Sequence, residues 1–239
     1  MQKQITYKAV KNLLSEGSTN AKTSKNALLT YILYLAPGNI SGINVCPFAS
    51  PGCLSSCLYS AGRGKFSNVQ KARINRTLIF KENRHAFYIQ LANELMMLHD
   101  KSIKLNIDIA IRLNGTSDID HISQLKKYSG INFLDSFYSS LKFYDYTKSP
   151  VIAKKYINTS YKITFSRSEI NNKVAFEILA AGGNIAIVFK NELPETFVSY
   201  PVINGDESDL RYYDPKNVIV GLKAKGKAKQ DQSNFVIIN

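Results

Sequence analysis

The sequence predicts an α/β fold, (β/α) barrel-like, complete or partial. Three observations predict it: short β-forming runs recur along the chain, each ends in a polar cluster, and stretches of helical length lie between several of them. Strand, polar loop and helix in repetition is the signature of parallel strands joined by right-handed crossovers. About six or seven such units suit a barrel, and an open doubly wound sheet is the rival arrangement. In both, ligands collect at the C-terminal ends of the strands.

The elements follow in order. Residues 1–27 are polar and weakly patterned, and residues 28–239 form the barrel-like core of a single domain spanning 1–239. The run from Leu28 to Ala36 is rich in β-formers and is stopped by Pro37-Gly38. The cysteine loop comes directly after this first predicted strand. Residues 68–100 carry apolar side chains at helical spacing and predict two helices with a break near Asn83. Short strands are then expected at 107–113, 141–146, 161–165, 185–189, 202–206 and 218–222. Helices are expected at 119–128, 151–156 and 172–181, the last capped by Gly182-Gly183.

The most specific chemistry lies in Cys46, Cys53 and Cys57, the chain's only cysteines, spaced C-x6-C-x3-C with Pro and Gly between them. Clustered thiolates of this kind hold a metal or an iron–sulfur cluster. A redox pair with a spare thiol and inert buried cysteines are the competing readings. No charged segment followed by an apolar one opens the chain, so a cytoplasmic, reducing setting is expected, which disfavours structural disulfides. Cys53 and Cys57 are four apart, so a helical turn there would put both sulfurs on one face. Zinc held by three Cys and one His is an alternative. The three histidines, His85, His99 and His121, do not follow a cysteine at zinc-finger spacing. A [4Fe–4S] cluster on three thiolates accounts for the missing fourth ligand, with one iron open or weakly ligated. Arg63, Lys65, Arg73 and Arg76 are the candidates to offset its negative charge, or else a solvated basic face.

The polar strand ends supply the other candidate ligand-binding residues. These are Asn114, Ser117 and Asp118 after the second predicted strand, Asp145 and Lys148 around the next strand end, Ser166, and then Asp206 and Arg211. Each has a structural alternative: Ser117 or Asp118 as a helix N-cap, and Asp145 with Lys148 or Asp206 with Arg211 as ion pairs. Lys223, Lys225, Lys227 and Lys229 alternate, so in an extended segment all four would face one way as a phosphate-facing stripe. No P-loop, nucleophile pair or dinucleotide fingerprint is present.

The net charge is +13 at pH 7, and a protein this basic tends to meet polyanions. An anionic small molecule or a nucleic acid is the expected partner, and a Lys-rich solvated surface is the bland alternative. The longest apolar runs fall short of the ~20 residues of a membrane helix, so no membrane partner is expected.

Several segments together resemble the phage gene product 88 family. They are the Cys-Pro-Phe-Ala-Ser-Pro-Gly-Cys-Leu-Ser-Ser-Cys loop, Ala-Gly-Arg-Gly, Ala-Arg-Ile-Asn-Arg-Thr, Arg-Leu-Asn-Gly-Thr-Ser-Asp-Ile, Phe-Tyr-Asp-Tyr-Thr-Lys, Thr-Phe-Ser-Arg-Ser-Glu and Gly-Asp-Glu-Ser-Asp-Leu-Arg. The resemblance implies a viral protein whose Cys46, Cys53 and Cys57 bind an iron–sulfur cluster in the host cytoplasm. The chain is also similar in architecture to radical S-adenosylmethionine enzymes, which place a three-cysteine loop after the first strand of a (β/α) barrel. Those enzymes space their cysteines C-x3-C-x2-C, and this chain does not, so S-adenosylmethionine enters only as a candidate cofactor with no catalytic residue assigned. The expectation is a redox or radical-type iron–sulfur protein acting on an anionic small molecule. The alternative is a nucleic-acid-binding protein with a structural zinc or iron–sulfur site.

Overall fold

In the computed structural model, residues 8–17, 28–57, 59 and 62–238 are described. The remainder of the weakly patterned N-terminal segment lies outside the described residues. Ten strands form one mostly parallel sheet: β1 (Leu14–Glu16), β2 (Leu29–Leu33), β3 (Ile109–Arg112), β4 (Leu141–Thr147), β5 (Lys162–Ser166), β6 (Asn184–Phe189), β7 (Thr196–Phe197), β8 (Tyr200–Asn204), β9 (Ile219–Lys223) and β10 (Val236–Ile237). Strands β2, β3, β4, β5, β6 and β9 lie side by side in chain order, all parallel. Each unit therefore steps one strand in the same direction.

The helices are α1 (Pro51–Ser55), α2 (Ser67–Glu82), α3 (Arg84–Leu105), α4 (His121–Ser129), α5 (Phe133–Ser136), α6 (Pro150–Tyr156) and α7 (Asn172–Ala180). The long helical region breaks at Asn83 as its sequence predicts. The Asn83 side chain accepts the Ala86 N–H at 3.1 Å and so starts α3. Helix α7 ends before Gly182, whose φ of 95° continues the chain into β6 at little cost. Helices α3 and α4 pack together, as do α6 and α7, in the order of the strands they follow.

The complete barrel is not formed, because the sheet is open. Antiparallel β1 takes the free edge of β2, and β8 with antiparallel β7 extends the sheet beyond β9, so the end strands do not meet. The cysteine loop accordingly follows the second strand. The three-residue β1 carries too little alternation to stand out in the sequence.

Side-chain alternation divides the sheet's two faces. Ile109, Ile111, Leu141 and Phe143 join Phe87, Leu91 and Leu95 of α3 in the largest core cluster. A second cluster joins Phe165, Ile185, Ile187 and Ile219 to Ile178 and Leu179 of α7. On the opposite face, Ala110 and Tyr144 are covered by Leu210 and Tyr212 from the segment between β8 and β9. Arg112 and Tyr146, next along those strands on that face, reach the end of the sheet and open onto a cavity.

Candidate functional site

The cavity has a volume of about 1530 Å³ and lies at the C-terminal ends of the parallel strands. Its wall takes residues at or just after the end of β2 (Tyr34), β3 (Arg112, Asn114), β4 (Thr147, Lys148), β5 (Ser166) and β9 (Lys223). Parallel strands leave the loops that follow them on one rim, which is where such folds hold ligands.

All three cysteines line it, and a different local device sets each one. Val45 closes the loop that precedes Cys46 by donating to the Gly38 carbonyl at 3.0 Å and accepting the Asp118 N–H at 2.8 Å. The Cys46 N–H bonds the Asn44 side chain at 2.9 Å, and its thiol donates to the Thr116 carbonyl at 3.7 Å. Cys53 sits on α1. Ser50 caps that helix by accepting the Cys53 N–H at 3.2 Å, and Pro51 supplies the pre-set φ of a first helical residue. Glu169, from the loop after β5, accepts the Ser50 hydroxyl and the Gly52 N–H, each at 2.8 Å. A Cβ on Gly52 would meet the Ser233 hydroxyl, Phe235 Cβ at 2.7 Å and Glu169 Oε1 at 2.9 Å, so only glycine lets α1 seat here. Helix α1 ends at Ser55, and Cys57 lies beyond it. The single helical turn expected for Cys53 and Cys57 therefore stops short, yet both reach the same cavity.

The thiols influence one another's charge. Burial pushes the Cys46 thiol up to about 12, with Asp118, Cys57 and Cys53 adding to the shift and the Gly38 backbone opposing it. Burial also raises Cys57; Cys53 adds to this, while Arg73 and Lys148 oppose it. None of the three forms a disulfide. Among the described residues, no group of three or more His, Cys, Asp and Glu stands together closely enough to hold a metal ion. His121 bonds the Tyr88 hydroxyl at 3.0 Å and His99 the Ser140 hydroxyl at 2.7 Å, both away from the cavity.

The other candidates separate into two groups. Asn114, Ser117, Asp118, Lys148, Ser166, Lys223 and Lys225 line the cavity. Several of them hold the rim together. Asn114 Oδ1 accepts the Ser117 hydroxyl at 2.9 Å and the Ile119 N–H at 3.0 Å. Asp118 accepts the Thr147 hydroxyl at 2.5 Å and the Lys148 N–H at 2.9 Å. Asp145, Asp206 and Arg211 do not line it. Asp145 is fully buried beneath the rim, where it accepts the Leu113 and Asn114 N–H groups and the Tyr161 hydroxyl. Asp206 pairs with Lys225 at 2.7 Å, and Arg211 with Asp214 at 3.3 Å.

The lysine stripe does not form. Lys223 ends β9, and a 3-10 turn at Gly226–Gln230 carries Lys227 and Lys229. Buried Ala224 and Ala228, four apart, anchor the segment against Phe235 and Val236 and impose a turn where alternation suggested extension. Lys223 pairs with Glu192 at 2.6 Å.

The sequence reading missed three contributors. Arg112 bonds Asp209 at 2.6 Å and lies 4.9 Å from the Tyr146 ring, and it was hidden inside an apolar strand run. Glu169 stood at the end of a quoted polar cluster, but nothing local showed that it reaches α1 across 119 positions of chain. Arg167 clasps the C-terminal segment through the Phe235 carbonyl at 3.1 Å. Among the described residues, ten lysines and arginines line the cavity against three carboxylates, so its field is strongly positive.

A family model described as gene product 88 matches residues 9–238. Neither a curated protein nor a solved structure matches the chain.

Proposed function

The chain belongs to the gene product 88 family, a phage protein family, and we propose that it is a viral iron–sulfur protein in which Cys46, Cys53 and Cys57 hold a [4Fe–4S] cluster. One observation carries the reading: three thiols from separate parts of the loop line one cavity at the strand ends. The donor set fits the group. A cubane takes one thiolate on each of three irons, so it asks for thiols spread around a rim, where a single ion asks for them at one point. The thiols act on one another's charge, so they stand near enough around the rim to share one group. Arg73 and Lys148, which act on Cys57, are placed to offset the negative charge of thiolates and sulfides.

When bound, such a cluster supplies one-electron chemistry and, at its fourth iron, a position for a small ligand. The chain's own residues do the rest. Glu169 and Ser50 hold α1 and with it Cys53; Asp118 ties the loop of Cys46 to the end of β4; and the cationic wall draws an anionic ligand toward the same space.

Anaerobic reconstitution with iron and sulfide tests the proposal. Absorption near ~400 nm with iron and sulfide in cluster stoichiometry is the expected result, lost on Cys46→Ser, Cys53→Ser or Cys57→Ser. A colourless protein with one tightly held zinc per chain would overturn it.

A further inference from the structure

We infer that the cavity also takes a phosphate-bearing small molecule, held between the N-terminal turn of α2 and the guanidinium of Arg73. The inference rests on the reading of this cavity as the functional site, and it names the class of ligand that lies beside the thiols.

The first observation is the entry to α2. A 3-10 turn at Gly62–Lys65 runs straight into the helix, and Arg63, Gly64, Lys65, Phe66, Asn68 and Val69 all line the cavity. Phe66 occupies the cap position and its side chain caps nothing; Asn68 Oδ1 accepts the Val69 N–H at 2.9 Å, and the turn contains no acidic residue. A 16-residue helix presents the Ser67 and Asn68 N–H groups and a partial positive charge at this end, the arrangement that receives phosphate oxygens.

The second observation is independent of the first. Arg73 is only 8% exposed, yet among the described residues its Nε and Nη1 have no hydrogen-bond partner. Its guanidinium lies 4.5 Å from the Tyr34 ring centre and 5.7 Å from that of Tyr59, so the flat faces are covered while in-plane donors stay unused. Arg76, one turn on, reaches Ser15 Oγ at 3.2 Å, and among the described residues its Nε has no partner. A buried cation with idle donors calls for an acceptor, and the planar fork suits the oxygens of a phosphate.

Spacing decides between phosphate and a lone carboxylate. At about 1.5 Å per residue, the start of α2 and Arg73 are roughly 9 Å apart along the helix axis. One carboxylate cannot engage both ends, whereas a phosphorylated molecule with several charged oxygens can. Arg73 is enclosed, so a ligand must enter the cavity to reach it, which favours a small molecule over a polymer lying across the surface.

Isothermal titration with inorganic pyrophosphate, adenosine diphosphate, citrate and a single-stranded dodecamer tests this, on metal-free and on iron–sulfur-reconstituted protein. Pyrophosphate and adenosine diphosphate are expected to bind both forms, because the groups that hold them belong to the protein. Arg73→Gln should weaken that binding by about ten- to a hundred-fold, the usual effect of removing a charge-assisted hydrogen bond. Lys65→Gln, exposed at the lip and without consequence for folding, should weaken it by about two- to five-fold. Unchanged affinity in both variants overturns the inference, and so does binding of citrate or the dodecamer alone. Phosphate binding without cluster loading would sink only the cluster reading; cluster loading without phosphate binding would sink only this one.

Discussion

The backbone N–H of Asp118 donates to the carbonyl of Val45 at 2.8 Å, one residue before Cys46. The same aspartate accepts the Thr147 hydroxyl and the Lys148 N–H through its carboxylate. A single residue in the loop that follows β3 therefore joins the cysteine loop to the end of β4. The position of Cys46 is thus set by strand ends as well as by the loop's own bonds to Gly38 and Asn44.

Replacing this carboxylate should loosen the rim. Asp118→Ala removes an acceptor from two buried or half-buried donors, and leaving them unmet costs about 2–3 kcal/mol. Asp118→Asn keeps one acceptor and should cost less. Urea midpoints measure the loss, and iron content after reconstitution should fall in the same order. Full iron occupancy in Asp118→Ala would show that Cys46 is positioned without it.

Gly52→Ala tests the seating of α1. The added methyl would press on Phe235 and Glu169, and overpacking of that kind costs about 1–3 kcal/mol. Cys53 should shift with the helix, so iron retention should drop as well. Ser55→Ala, on the exposed side of the same helix, should stay within about 0.5 kcal/mol. Equal iron content in the two variants would separate α1 from the metal site.

Local signals carried much of this structure, and non-local pairing carried what they missed. The break at Asn83 and the ends of β3 to β6 were legible because capping residues and β-rich runs act within a few positions. The closure of the sheet was not, since it depends on which strand takes the outer edge of β2, and a three-residue strand from a polar segment does so. Among site residues, the cysteines and Asn114 were legible by type. Asp145 has the same polar character but turns inward, because strand alternation sends it beneath the rim to meet Tyr161. The lysine alternation misled for the opposite reason: Ala224 and Ala228 between the charges are buried anchors, and their four-residue spacing selects a turn.

Thiol ionisation makes loading depend on pH. Cys46 and Cys57 are held as neutral thiols by burial, while cluster binding needs thiolates and so releases their protons. Affinity for the cluster should fall about tenfold per pH unit for each proton released. Iron occupancy at limiting iron should therefore drop between pH 8.5 and 6.5. In the metal-free protein the sign for stability is the reverse. The folded Cys46 thiol, at about 12, keeps its proton after the unfolded thiol near 9.0 has lost it. The Cys46 contribution is thus constant below pH 9 and falls above it by about 1.4 kcal/mol per unit. Urea titrations at pH 8 and 10 read the effect, and Cys46→Ser should reduce it, leaving the part that belongs to Cys57.

His121 gives the acid side of the stability profile. It is fully buried, and burial depresses its pKa to about 3 against an ordinary 6.5. The folded state holds it neutral, so its contribution is complete above pH 6.5 and is lost as pH falls toward 3. By pH 5 the loss is about 2 kcal/mol. Asp145 acts in the opposite sense. Burial pushes its carboxyl up to about 7 against Arg112, the Tyr161 hydroxyl and two backbone N–H groups, so protonation below 7 favours the folded state. The wild-type curve alone mixes the two effects. Subtracting the curve of His121→Gln isolates the histidine, because Asp145 is common to both. The variant should lose about 2 kcal/mol less than wild type between pH 7 and pH 5, read from urea midpoints. Parallel curves would mean that His121 takes up its proton inside the folded protein.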